Sequence, residues 1–341
     1  MTRRTKICAA IVVAIAIIGG YAGYWFFIAA QLEKGIDDWV SFQRQAGLTV
    51  AFERSGVTGF PFALRATFRQ PHISGALSGQ SFDWRGPDVE AKVSPLDLYA
   101  MTFIAPGHHT IDLGAGPAAL DARELRARLA FDGSGQLSTV AVTVADMNAT
   151  LPDRKVIAAA SGTASLTAAP TPPKSDADPL LQFAFDAKEL KLPEGTVLLT
   201  ADPLSTVQIA GTVKGPMPMA SLRPALTSWR DAGGTVQVTS FAVAQSTLSL
   251  SGSATVALDD SLQPLVAADV KARGLGPTID LLVSQHRIYP EDALKMKLFV
   301  KGAERDAPGG YKEVATGLTL QGGYLFWGPF KLAPVPPIQW P

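Results

Sequence analysis

The sequence holds one cysteine, Cys8, and it lies inside an apolar run. A lone cysteine forms no disulfide within its own chain, and nothing beyond the run can act as a thiol nucleophile or thiolate ligand. Thr5, Lys6 and Ile7 before it are not the small residues that lead into a lipoprotein cysteine, so Cys8 reads as a small apolar helix residue. Histidine is nearly as scarce, with four in 341 residues, and charged residues make up only 18%, below the usual quarter. Neither sign is in surplus, with 30 basic residues against 30 acidic ones. A chain without a basic block carries no electrostatic footprint for nucleic acid.

Motifs of catalysis are missing too. There is no G-x-S-x-G elbow, no phosphate-binding P-loop and no H-E-x-x-H. His72, His108, His109 and His286 lack a partner at the spacing of a helical or hairpin metal site, and all four read as solvated loop residues. His108 and His109 follow Pro106-Gly107, and adjacent residues of an extended chain would point opposite ways. The acid pairs Asp37-Asp38, Asp259-Asp260 and Glu291-Asp292 fall at helix or turn positions, where capping and solvation are the usual roles. The expectation is a chain with no catalytic residue, no metal and no cofactor, and not an enzyme.

What the sequence does have is one long uncharged run, residues 7–30. At about 1.5 Å per helical residue it spans roughly 36 Å, enough to cross a hydrocarbon core of about 30 Å with some tilt. Ile7, Ile11, Ile15, Ile18, Tyr24, Trp25, Phe26 and Phe27 would be the anchor residues, with the aromatic rings at the outer interface. Arg3, Arg4 and Lys6 precede the run, so the positive-inside rule keeps the N-terminus in the cytoplasm and places the bulk across the membrane. A cleaved signal peptide is the competing reading, since Gly20-Tyr21-Ala22 fits a small-x-small site. The apolar run continues past that site through Ile28, which favours an uncleaved anchor. Without the three basic residues of the tip, 27 basic residues face 30 acidic ones.

Residues 31–47 read as an amphipathic connecting helix. Leu32, Ile36, Trp39 and Phe42 form one stripe and Gly47 supplies the stop. The stripe would dock on the following sheet, lie on the membrane surface or pair with a partner anchor. From residue 48 the period changes to two. A first β-rich half over 48–167, a Pro-rich loop or linker over 168–179, and a second β-rich half over 180–341 with a Pro-rich tail are expected. Within them, 95–101 reads as a short helix or turn, 157–166 as helix or strand, 110–113, 118–122, 126–131, 196–199 and 294–302 as strands, and 218–232 and 277–286 as helices. The fold class is mainly β with a few helices, a transmembrane helix followed by a curved or layered antiparallel sheet domain. Such a sheet, incompletely closed by a helix, leaves an apolar trough suited to acyl chains.

Large apolar groups also gather at turns and in the tail. Phe60, Phe62, Trp327, Phe330 and Trp340 sit beside Pro61, Pro329 and Pro336-Pro337, as edge packing or as a candidate ligand or partner strip. Three stretches carry a family resemblance. Tyr24-Trp25-Phe26 running into Gln31-Leu32-Glu33, the Gly59-Phe60-Pro61-Phe62 turn, and Gly328-Pro329-Phe330 with Leu332-Ala333-Pro334 together resemble the DUF2125 family of alphaproteobacterial membrane-anchored proteins. That family has no assigned activity, so the resemblance implies location and architecture and transfers no catalytic residue. Residues 248–272 are also similar to the repetitive strands of AsmA-like envelope proteins. Those are anchored at the inner membrane and associated with lipid movement. The expected function is a non-enzymatic, single-pass inner-membrane protein with a periplasmic body that binds or shields lipid. The alternative is a scaffold for another envelope protein.

Overall fold

The apolar run and the amphipathic stretch after it form one helix, α1 (Arg3–Gln45). It ends in a Schellman motif. Gly47 adopts φ 88°, Leu48 N–H donates to the Gln43 carbonyl at 3.0 Å and Gly47 N–H to that of Arg44 at 3.1 Å. Among the described residues this is the one helix long and apolar enough to cross a membrane. The computed structural model describes residues 3–77, 80–193, 202–307, 310–328 and 330–340. It divides into two units, Met1–Gln136 with Ala149–Arg154, and Leu137–Asn148 with Lys155–Pro341.

The first unit joins α1 to seven antiparallel strands: β1 (Thr49–Arg54), β2 (Leu64–Leu77), β3 (Gln80–Arg85), β4 (Val89–Ser94), β5 (Asp97–Ile104), β6 (Gly107–Asp112) and β7 (Pro117–Phe131). β2 pairs with β1 along one edge and with β4 and then β3 along the other. β7 carries β5 and β6 in the same way, while β4–β5 and β3–β6 pair between them. So β3 and β4 are halves of one strand position, and β5 and β6 are halves of the next. The break between halves falls on one line across the sheet, where Pro71, Pro87 and Pro106 lie. A proline cannot donate to the ladder, so the ladder lapses there and the sheet creases. Two bonds still cross the crease line, Gly86 N–H to Pro71 O at 3.1 Å and Ala105 N–H to Leu125 O at 2.9 Å.

The second unit contains most of β8 (Leu137–Thr150), then β9 (Val156–Ala168), β10 (Pro179–Leu190), β11 (Leu204–Lys214), α2 (Leu222–Asp231), β12 (Thr235–Gln245), β13 (Leu248–Leu258) and β14 (Pro264–Arg273). α3 (Leu275–Ser284), α4 (Pro290–Ala303), β15 (Glu304–Ala307), β16 (Tyr311–Gln321), β17 (Tyr324–Trp327) and β18 (Phe330–Pro334) complete it. β9 to β14 form a meander, and β14 then pairs with β16. The Pro-rich stretch joins the paired strands β9 and β10. α3 and α4 cover one face through Ile279, Ala293 and Val300 against Val314. The Trp229 indole on α2 donates to the Lys214 carbonyl at 2.7 Å, and Gly234 lies so close to that ring that a Cβ there would fall 2.3 Å from it.

Several local expectations change. Residues 294–302, expected as a strand, belong to α4. Leu294, Met296 and Leu298 alternate with Lys295 and Lys297, which mimics a strand. Pro290 at the first turn with Glu291 and Asp292 starts a helix, and Ala293, Met296 and Val300 form its inner stripe. Residues 95–101 make a tight turn into β5, with no helix, and 157–166 is strand β9. The strands expected at 118–122 and 126–131 are one strand, β7. The segment 196–199 lies outside the described residues.

Candidate functional site: an apolar trough in the first unit

α1 leaves a gap over the creased sheet. The result is a trough of about 530 Å3 lined by seventeen residues, none with a charged or hydrogen-bonding side chain except the indoles of Trp39 and Trp84. Sites for small ligands run from about 300 to 1,000 Å3. Leu32, Gly35, Ile36 and Trp39 form the helical wall. Alternate residues of the strands form the floor: Val50 and Phe52 on β1, Ala66 and Phe68 on β2, Val89, Ala91 and Val93 on β4, Met101 and Phe103 on β5. The inward positions on β2 are even before Gln70 and odd after it, at Pro71 and Ile73. Gln70 adopts φ 47° and is the extra residue that shifts the alternation. Unbroken alternation through Gln70 would instead turn Gln70, His72 and Ser74 into the trough.

The helix is held over the floor by polar contacts at one margin. The Glu33 carboxylate accepts the Val57 N–H at 2.9 Å, and Asp37 pairs with Arg54 at 2.9 Å. Toward the anchor, the trough ends against a packed cluster of Trp25, Ala29, Leu64 and Val93, with Leu32 and Met101 against it. Leu64 is fully buried, and the Trp25 indole donates to the Ala63 carbonyl at 3.2 Å.

Of the expected stripe, Leu32, Ile36 and Trp39 face the trough, whereas Phe42 is exposed. Of the anchor residues, Trp25 is buried on the sheet, while Ile15, Ile18, Tyr24, Phe26 and Phe27 are exposed. The side chains of Ile7, Ile11 and Phe330 lie outside those described. Of the candidate aromatic strip, Phe60 and Phe62 belong to the first unit and Trp327 and Trp340 to the second. Phe60 packs on Trp25 and Phe26 with centroids 5.5 and 5.9 Å apart, and Phe62 projects outward. In the second unit, Trp327 packs on Phe299 and donates to the Thr316 hydroxyl, and the Trp340 indole donates to the Leu262 carbonyl at 2.8 Å.

Three histidines are not loop residues. His72 on β2 bonds Asp83 and His108 on β6 bonds Asp121, both at 2.9 Å. His109 is buried at the crease, where Nε2 donates to the Ala105 carbonyl and Nδ1 accepts from the Trp84 indole. The loop reading failed because Pro106-Gly107 resembles a turn signal but marks the crease between collinear half-strands. Only His286 sits in an exposed turn. No group of three or more His, Cys, Asp or Glu side chains among the described residues is placed to hold a metal. Two shifted carboxyls are at turns: that of Asp132 is lowered by the Ser134 hydroxyl and the Gln136 N–H, and that of Asp178 by the N–H groups of Lys174 and Ser175, while on β16 the Lys312 ammonium is raised by its bond to Asp306.

A family model described as an uncharacterized protein conserved in bacteria (DUF2125) matches residues 25–336. No curated protein and no solved structure matches the chain.

Proposed function

The chain belongs to the DUF2125 family, and we propose that it is a non-enzymatic, inner-membrane-anchored periplasmic protein whose first unit shields one acyl chain of a lipid. The observation that carries this reading is the trough, 530 Å3 with an apolar lining from helix and sheet. Each methylene moved from water into such a lining contributes about 0.8 kcal/mol, so ten of them contribute about 8 kcal/mol. Transfer from a bilayer into the same lining is nearly neutral, because both environments are hydrocarbon. The site therefore suits temporary shielding of a chain drawn from the membrane beside it. A lining without an acid, base or nucleophile leaves a bound chain chemically untouched, which supports the non-enzymatic reading. Arg3, Arg4 and Lys6 support the cytoplasmic N-terminus, and the AsmA-like look of 248–272 agrees with an envelope role in lipid handling. Tyr21 bonds the Pro61 carbonyl, a contact that cleavage after Ala22 would remove, so the anchor is read as retained.

Full-length protein, stripped of co-purified lipid in detergent, should take up a fluorescent fatty acid with one site per chain. Loss of uptake in Ala91→Trp, which fills the floor, would locate that site in the trough. Absence of uptake by the unaltered protein would end the proposal. A scaffold role is the second reading, favoured by α4, where Leu294 and Leu298 are 62% and 64% exposed one helical turn apart. Cross-linking from a photoreactive residue at 298 to a second envelope protein in cells would support it.

A further inference from the structure

Two turns of the first unit are pinned to the anchor helix. The Tyr21 hydroxyl donates to the Pro61 carbonyl at 2.5 Å, and that of Tyr24 to the Pro95 carbonyl at 2.9 Å. Phe60 closes the first turn onto Trp25 and Phe26. The other large side chains of these turns point off the protein: Phe62 is 86% exposed, Leu96 85% and Tyr99 57%. Single exposed apolar residues are ordinary. Here they cluster on two separate turns beside the same few residues of one helix.

The level of that helix is constrained. Arg3, Arg4 and Lys6 hold the hydrocarbon boundary near residue 7 on one side. A core of about 30 Å takes roughly 20 helical residues, so the opposite boundary falls near residue 26, and tilt moves it further along the chain. Tyr21 and Tyr24 come before it. The turns bonded to them share their depth. A peptide carbonyl in hydrocarbon needs a partner from the protein, and the two tyrosine hydroxyls supply one to each turn.

We propose that the turns 59–63 and 95–99 form a second membrane-contacting surface, with Phe62 and Leu96 inserted in the leaflet through which the anchor emerges. This rests on the anchor reading and goes beyond it, since a helix alone would leave the unit free to stand off the bilayer. Insertion fixes the unit against the leaflet and sets the end of the trough nearest the anchor at the lipid surface.

The test uses the full chain in a Cys8→Ser background, reconstituted in phosphatidylcholine vesicles. Single cysteines replace Phe62, Leu96, Ile15 or Ala115 and carry an environment-sensitive fluorophore. Ala115, on the β6–β7 turn, lies at the other end of the sheet, roughly 50 Å away at about 3.3 Å per strand residue. A lipid with a nitroxide high on its chain should quench the probes at 62 and 96 at least about twofold, consistent with insertion of about 5–10 Å, and leave that at 115 unchanged. Probes at 62 and 96 that behave like the one at 115, while 15 is quenched by a nitroxide near the chain end, would overturn the proposal and keep the anchor. An unquenched probe at 15 would overturn both.

Discussion

Replacing Gly35 by leucine should make the protein more stable and a poorer host for an acyl chain. Gly35 lies within α1, lines the trough, and has no heavy atom within 4 Å of where a Cβ would be built. A glycine inside a helix costs about 1 kcal/mol against a good helix former. A leucine reaching the trough lining removes further apolar surface from water, for a total gain of about 1–3 kcal/mol. The same side chain occupies space that three or four methylenes of a ligand would fill. At about 0.8 kcal/mol each, the ligand loses about 3 kcal/mol, roughly a hundredfold in affinity. Thermal unfolding of the full chain in detergent reports the first quantity, and competition with a fluorescent fatty acid reports the second. Raised stability with unchanged affinity would show that the chain binds elsewhere. Lowered stability would show that the helix and sheet close over the gap in solution, and the reasoning would fail at its first step.

Leu64→Ala, at a fully buried position of the end cluster, should cost about 2–5 kcal/mol in denaturant unfolding, whereas Leu113→Ala, at a 61% exposed site, should stay within about 0.5 kcal/mol. Equal effects would mean that the cluster is not packed. His109→Leu should cost about 1–3 kcal/mol, because the Ala105 carbonyl and the Trp84 indole lose their partner at the crease. A neutral result would show that water reaches the crease. The Asp132 carboxyl has a folded pKa below its ordinary value, so its hold on the 132–136 turn is complete above an unfolded pKa of about 3.9 and fades as pH falls through the lower folded value. Exchange of the Gln136 amide should therefore lose protection on acidification, beyond the intrinsic pH effect, and Asp132→Asn should remove that dependence.

The sequence alone was enough for whatever depends on neighbours along the chain. Residues 7–30 declare a membrane-length helix by their length and lack of charge, Gly47 declares its stop, and the period of two across 48–167 and 180–341 declares sheet. Lone Cys8 already removed disulfides from the account. The strand expected at 294–302 failed because alternating lysines fit either period, and the choice fell to the surface α3 and Val314 offered for Ala293 and Val300. The trough was foreseen as a kind of feature, yet none of its floor residues could be picked out. They run from Val50 to Phe131, and which parity of β2 turns inward depends on one left-handed residue, Gln70. The crease is equally non-local: Pro71, Pro87 and Pro106 look like three unrelated turns until pairing sets them side by side. Local order follows from propensity and polarity a few residues apart. The site follows from strand register, which only the folded sheet decides.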